Sequence, residues 1–208
     1  MRSAFDIIGP IMIGPSSSHT AGAVRLGLMA RAILGEEVKI INIKLYGSFA
    51  QTYKGHGTDK ALVGGILGFD PDDARIKYSF ELAKEQGVKF EFIKTNLGEN
   101  VHPNTVKVLI EGREGEEYEM VGSSIGGGSI MVTEVNGSKI EFTGAYPTLV
   151  ISHMDVPGVV SQVTALLFEL DINIAFMKVI RSQKGKEATM VFELDGKISP
   201  EAVEQIKS

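Results

Sequence analysis

Apolar residues recur at helical spacing between Ala21 and Leu34. Val24, Leu28 and Ala32 fall four apart, as do Met29 and Ile33, and Arg25 and Arg31 supply the charges. This pattern predicts an amphipathic helix. Gly35 stands where a left-handed residue would end it. From Val38 to Tyr46 the period changes to two, with Ile41, Ile43 and Leu45 alternating with Asn42 and Lys44, which predicts a strand. The polar, glycine-rich stretch 47–59 reads as a loop or broken helix. A short apolar helix follows from Lys60 to Leu67, closed by Gly68. Asp70-Pro71 is placed to cap another helix with proline at its first position. Its interior suits two periods: Ile76, Tyr78, Phe80 and Leu82 alternate, while Ile76, Phe80 and Ala83 fit a helix ending at Gly87. The helix is the reading adopted. Val88 to Ile93, Thr105 to Glu111, Tyr118 to Gly122, Ser129 to Val135 and Lys139 to Thr143 read as strands. Asn136-Gly137 signals a two-residue hairpin, because both central residues of that turn need positive φ. Residues 1–14 form a lead-in with a strand-like or irregular apolar piece.

A second pattern starts near Thr148. Thr148 to His153 is a strand. Val156-Pro157-Gly158 begins a helix to about Leu170, with Val159, Val163, Leu166, Leu167 and Leu170 on one face. Asn173 to Arg181 and Glu187 to Leu194 are strands joined through a turn containing Gly185. Ser199-Pro200-Glu201 caps a last helix. The expected architecture is α+β in two domains, 1–145 and 148–208. The first carries a mixed sheet of about five or six strands with three or more helices.

Composition narrows the function. The 208 residues are 43% hydrophobic and 23% charged, an ordinary globular balance. A net charge of −5 argues against nucleic acid as the partner, since phosphate binding wants a basic face. No apolar run approaches a membrane span of roughly 20 residues. The first residues lack a secretory core and cleavage site. With no cysteine there is no disulfide, and a cytoplasmic home is the natural expectation. Any metal chemistry must then be held by another chain or by other ligands. The four histidines are scattered, so no metal site is expected from this chain alone.

Two motifs hold the candidate chemistry. In Gly14-Pro15-Ser16-Ser17-Ser18-His19-Thr20, five polar side chains follow a Gly-Pro bend and precede a helix. Free N–H groups at a helix start plus hydroxyls suit a carboxylate or phosphate. One serine would suffice as an ordinary N-cap, worth about 1 kcal/mol. In Lys54-Gly55-His56-Gly57-Thr58-Asp59 the flanking glycines leave His56 open to a ligand, and an imidazole is a natural proton acceptor near neutrality. A surface loop histidine is the plainer alternative. His102-Pro103-Asn104-Thr105 reads as a turn into a strand. Ser123 to Ser129, with Gly126, Gly127 and Gly128, offers backbone N–H groups to an anion or is simply a hairpin, and it lacks the Gly-Lys-Ser/Thr ending of a phosphate loop. His153 has a plain structural role.

These segments, with Tyr46-Gly47-Ser48 and Ser124-Ile125-Gly126-Gly127-Gly128, resemble the β chain of bacterial iron–sulfur L-serine dehydratase over about residues 8–145. The tail from Thr148 resembles an ACT domain, a small ferredoxin-like βαββαβ regulatory module. Its Asp155-Val156-Pro157-Gly158-Val159-Val160 turn matches the signature at the amino-acid-binding edge. The resemblance implies an α chain whose cysteines carry a [4Fe–4S] cluster with one open iron, able to act as a Lewis acid on the substrate hydroxyl. It implies conversion of L-serine to pyruvate and ammonia. It assigns His56 as the base for the Cα proton and Ser16, Ser17, Ser18, His19 and Thr20 as the hold on the carboxylate or amino group. Asn104 shapes the site, and Gly126 to Gly128, Asp155 and Gly158 belong to a regulatory or anion site. The first domain also resembles the allosteric substrate-binding domain of some phosphoglycerate dehydrogenases, so a purely regulatory, amino-acid-sensing subunit is the alternative. A phosphate-ligand protein built on the three glycines is a third reading. Homodimerisation through either domain is compatible with the resemblance. The sequence stops at Ser208 within the last helix, so the ACT module would lack its fourth strand unless the sequence is a piece of a longer chain or a partner supplies the edge. The enzyme reading requires His19 and His56 to share one pocket.

Overall fold

A computed structural model describes residues 11–96, 98, 101–181 and 183–207. Residues 1–10 of the expected lead-in lie outside the described residues. The elements run α1 (Gly22–Leu34), β1 (Val38–Leu45), α2 (Gly47–Thr52), α3 (Thr58–Ile66), α4 (Ser79–Glu85), β2 (Lys89–Lys94), β3 (Thr105–Gly112), β4 (Glu117–Gly126), β5 (Ser129–Val135) and β6 (Ser138–Phe142). They continue with β7 (Thr148–Met154), α5 (Val159–Glu169), β8 (Ile174–Arg181), β9 (Glu187–Leu194) and α6 (Pro200–Lys207). Contacts divide the chain into two units at Gly137/Ser138.

The larger sheet has the order β2-β1-β3-β4-β5-β6. β1 pairs with β2 in parallel, and β1/β3, β3/β4 and β4/β5 are antiparallel, so the sheet is mixed. A parallel pair needs a crossover, and α2, α3 and α4 supply it. Ile41, Ile43 and Leu45 of β1 and Val106, Val108 and Ile110 of β3 alternate into the core, as period two requires. α1 lies across β3, β4 and β5, and α3 packs on α1. Gly35 ends α1 at φ 75.

The contact between α1 and α3 is made of glycine. A Cβ on Gly27 would stand 2.3 Å from Leu62 O, and one on Gly65 would stand 2.0 Å from Val24 O. Backbone meets backbone there, at a distance no side chain permits. Arg31 Nη1 donates to Ile66 O at 3.2 Å near the C-terminal ends. The two helices therefore start at the same end.

Two local expectations change, and a third holds. The helix expected to begin at Asp70-Pro71 instead begins with a 3-10 turn at Ala74–Tyr78, capped by Asp73, whose carboxylate accepts from Arg75 N–H. Pro71 serves a different purpose, accepting Ile13 N–H through its carbonyl at 2.9 Å. β4 runs past Gly122 to Gly126, because the absent side chain at Gly122 admits Leu26 and the ladder continues with Ser124 opposite Ile130. Asn136 and Gly137 take φ 47 and 76, the positive pair the hairpin needed.

In the second unit the strands order β7-β9-β8, all antiparallel, with α5 and α6 completing a βαββα chain order. Val163 and Leu167 of α5 pack on Met190, Phe192 and Leu194 of β9. Glu193, only 7% exposed, accepts from Thr143 N–H, Thr143 Oγ1 and Gly144 N–H. Ser199 Oγ caps α6 by accepting from Ala202 N–H.

Replacing Gly65 or Gly27 by alanine forces a methyl into backbone, so each variant should lose roughly 1–3 kcal/mol of stability, the usual range for overpacking. Gly55→Ala, whose Cβ would meet only Thr52 O at 3.7 Å, should stay close to wild type. Urea unfolding midpoints check this; equal midpoints for all three variants refute the close contact.

Candidate functional site

The polar run folds as a π-turn, Ser17–Ala21, directly ahead of α1. Gly22 N–H donates to Ser17 O, closing an i to i+5 ring. Such turns are rare and concentrate at functional sites. Ser16 is extended, and its Oγ accepts from His19 N–H at 3.2 Å. One serine thus does the ordinary capping, leaving Ser17 and Ser18 for other work. Thr20 is not open to a ligand. It is 3% exposed, and Gly14, at φ 134, bends over it so closely that a Cβ would stand 2.5 Å from Thr20 Cγ2. Gly22 in turn admits Ser124 of β4, whose Oγ lies 2.1 Å from where a Cβ would be.

His19 has partners on both nitrogens. Nδ1 lies 3.1 Å from Ser18 Oγ and 3.5 Å from Ser16 Oγ, and Nε2 lies 3.1 Å from Ser48 Oγ. The ring meets Phe49 edge-on at 5.1 Å and His56 at 4.8 Å, 62° between planes. His19 and His56 therefore share one site. Burial, and secondarily the neighbouring His56 imidazole, hold the His19 pKa below the usual histidine range.

His56 sits in the turn between α2 and α3. Its N–H donates to Thr52 O at 3.1 Å, and Gly57, left-handed at φ 67, is the N-cap of α3. His56 Nδ1 is buried with no hydrogen-bond partner. Among the described residues the same holds for Thr20 Oγ1, Thr58 Oγ1 and Ser124 Oγ in this unit. Asp59 is 8% exposed, and burial raises its carboxyl pKa against the pull of the Lys60 N–H it accepts.

The turn bearing Asn104 supports the segment bearing Ser48. Gly47, at φ 56, packs on Pro103 so tightly that a Cβ would stand 2.5 Å from Pro103 O. Tyr46 N–H donates to Thr105 O and Phe49 N–H to Pro103 O. Asn104 O accepts from Ser124 N–H at 3.0 Å. Thr105 Oγ1 donates to His102 O at 2.6 Å, so Ser123 must donate to Thr105 Oγ1 across the ladder, also at 2.6 Å.

The remaining candidates lie on other elements. Gly126, Gly127 and Gly128 have φ of 103, 60 and 81, and Arg25 Nη1 donates to Gly128 O at 2.8 Å. That cation meets a carbonyl, which fastens the turn to α1. In the second unit Asp155 Oδ2 accepts from Gly185 N–H at 3.0 Å and Arg181 Nη1 at 3.2 Å. The Gly185 N–H is the main reason its pKa is lowered. Gly158, at φ 98, is the N-cap of α5. His153 Nδ1 donates to Met154 O at 2.7 Å. Sequence reasoning assigned no individual role to Ser48, Phe49, Thr58 or Ser124, although the matched segments Tyr46-Gly47-Ser48, Lys54 to Asp59 and Ser124 to Gly128 contain three of them.

The fold and site define an α+β chain that joins a polar π-turn and paired histidines to a small βαββα module. A family model described as serine dehydratase beta chain matches residues 3–135, and an ACT domain model matches 148–208. The chain belongs to the serine dehydratase beta chain family. It is 48% identical over 193 residues to the L-serine dehydratase beta chain of Peptoniphilus asaccharolyticus, covering 93% of this chain and 87% of that one. It is 45% identical over 205 residues to a probable L-serine dehydratase beta chain of Bacillus subtilis, covering 99% and 92%. A D-3-phosphoglycerate dehydrogenase of Bacillus subtilis is 29% identical over 188 residues, 88% of this chain and 35% of that one. No helix among the described residues is long and apolar enough to cross a membrane.

A lowered histidine pKa makes the unfolded chain the better proton binder below the ordinary imidazole value. Stability contributed by neutral His19 is therefore present near pH 7 and is lost as pH falls from about 6.5 through the lower folded value. His19→Asn should flatten the loss measured by urea unfolding between about pH 7 and pH 5. An unchanged slope would show that His19 is not held neutral.

Proposed function

We propose that the chain is the β subunit of an L-serine dehydratase and that it supplies proton-handling and substrate-holding groups to the deamination of L-serine to pyruvate and ammonia. The carrying observation is the 4.8 Å approach of the His19 and His56 rings beside the Ser16, Ser17 and Ser18 turn. The names of the beta-chain relatives support the substrate.

The reading puts a [4Fe–4S] cluster on a cysteine-bearing α chain. This chain's own residues do not fit such a group. It has no cysteine, and no set of three His, Asp or Glu side chains among the described residues is gathered to hold a metal. The elimination step removes a proton from Cα and a hydroxide from Cβ of L-serine. Aminoacrylate remains, becomes the imine, takes up water and releases ammonia. His56 is the base for the Cα proton. Its buried, unpartnered Nδ1 costs free energy in this chain alone, which suits a site completed by substrate and partner. Ser17, Ser18 and His19 hold the carboxylate or amino group, so that Cα faces the base; positioning of this kind supplies several kcal/mol of rate acceleration. Thr20 walls the turn, and Asn104 shapes the site through the segment it seats.

Residues 1–145 form the serine dehydratase β domain, akin to an allosteric substrate-binding domain. Residues 148–208 form an ACT domain of ferredoxin-like character, with Asp155 and Gly158 at its regulatory edge. The complex works in the cytoplasm, where the α-chain cysteines stay reduced, and self-association through either domain is compatible with this.

The test is the complex of this chain with its α chain, assayed for pyruvate from L-serine. His56→Asn should lose about 100-fold or more of turnover, the usual contribution of a general base, while the complex still forms. Normal turnover by this variant would remove the base role and leave a regulatory amino-acid-binding subunit.

A further inference from the structure

Ser48 lies 29 positions from His19 in sequence, and its Oγ stands 3.1 Å from His19 Nε2. On the other side of the ring, Ser18 Oγ is 3.1 Å from Nδ1, and Ser16 Oγ is 3.3 Å from Ser18 Oγ. Four polar groups thus form one chain. Each hydroxyl can donate or accept, so the ring alone does not decide the direction of its proton. The end of the chain does. Ser16 Oγ already accepts from His19 N–H. If Ser16 then donates to Ser18, and Ser18 to Nδ1, the order of donors runs unbroken from the backbone N–H through two hydroxyls and the ring to Ser48. Hydrogen bonds in that order polarise one another favourably. In the reverse order Ser16 would accept twice and the two arms would oppose each other.

We propose that Ser48 is a positioning residue for His19: its oxygen accepts the Nε2 proton and, with Ser18 donating to Nδ1, holds the ring as the neutral Nε2–H tautomer beside His56. The role in turnover rests on the function proposed above; the tautomer does not. Phe49, fully buried beside the ring, and His56 on another side leave the imidazole little freedom to swing. Ser48 itself is fixed from below. Gly47 seats it on Pro103, and Thr52 Oγ1 donates to the Ser48 carbonyl at 2.8 Å. The Ser48 hydroxyl proton is left to donate outward.

The test has two arms. In the first, nitrogen NMR of the imidazole in the full-length chain near pH 7 should report protonated Nε2 and bare Nδ1 at His19 in the wild type. Ser48→Ala should weaken that preference and Ser48→Thr should restore it. In the second, kcat/KM for L-serine in the complex with the α chain should fall about 3- to 10-fold in Ser48→Ala, the worth of one neutral hydrogen bond, and recover in Ser48→Thr. A wild-type ring protonated on Nδ1 overturns the proposal without any variant. So does a Ser48→Ala chain with an unchanged tautomer and unchanged kcat/KM. A complex that never turns over L-serine would refute the proposed function, and the NMR arm would still decide the role of Ser48.

Discussion

The backbone contact between α1 and α3 is the constraint on which the site depends. Gly27 and Gly65 let the two helices approach to a distance that any Cβ would forbid. Both helices start at one end of the contact. The π-turn carrying His19 leads directly into α1, and the turn carrying His56 leads directly into α3. The spacing of two imidazoles is thus set by helix packing several residues away. A methyl group at the crossing would separate the helices and, with them, the two rings. Interiors packed to crystal-like density transmit such displacements instead of absorbing them.

The π-turn adds a second constraint. One extra residue in the hydrogen-bonded ring shifts every side chain ahead of it by about a third of a turn relative to α1. Without that shift, His19 would follow the same periodic face as the apolar residues of α1. Gly22 makes the turn possible by admitting Ser124 where a side chain would otherwise stand. The five-residue turn, the capping by Ser16 and the contact with β4 therefore belong to one arrangement. His19 is presented sideways to Ser48, and Ser18 remains on its opposite nitrogen.

What was legible in the sequence follows from the range of the forces involved. α1, α3 and most strands were readable because their apolar period is unbroken and their ends carry glycines. The hairpin at Asn136-Gly137 was readable because its turn demands positive φ, a local property. The π-turn was not, since the choice between a four- and a five-residue ring depends on what Gly22 touches across the fold. The extension of β4 through Ser123 and Ser124 was hidden because these residues have little strand preference and are held by the ladder. The Asp70-Pro71 cap failed because Asp73, three residues on, competes for the same task. His56 announced itself through flanking glycines. The His19 neighbours Phe49 and Ser48 did not, because a single serine or phenylalanine carries no signal of a partner so far along the chain.

The same geometry bears on why such a chain would need a companion. Ser16, Ser17, Ser18, His19, Ser48 and His56 are only half-buried in this chain, so water competes for hydrogen bonds at the site. A neutral hydrogen bond in that setting contributes about 1 kcal/mol, far below what abstraction of a Cα proton requires. Covering the site with a second protein surface would exclude water and lower the local dielectric, which strengthens each dipole already in place. Under the proposed function, the α chain therefore contributes more than a metal centre. It would convert a polar surface turn into an enclosed electrostatic environment, and the glycine-packed helices of this chain would keep the imidazoles from rearranging when it arrives.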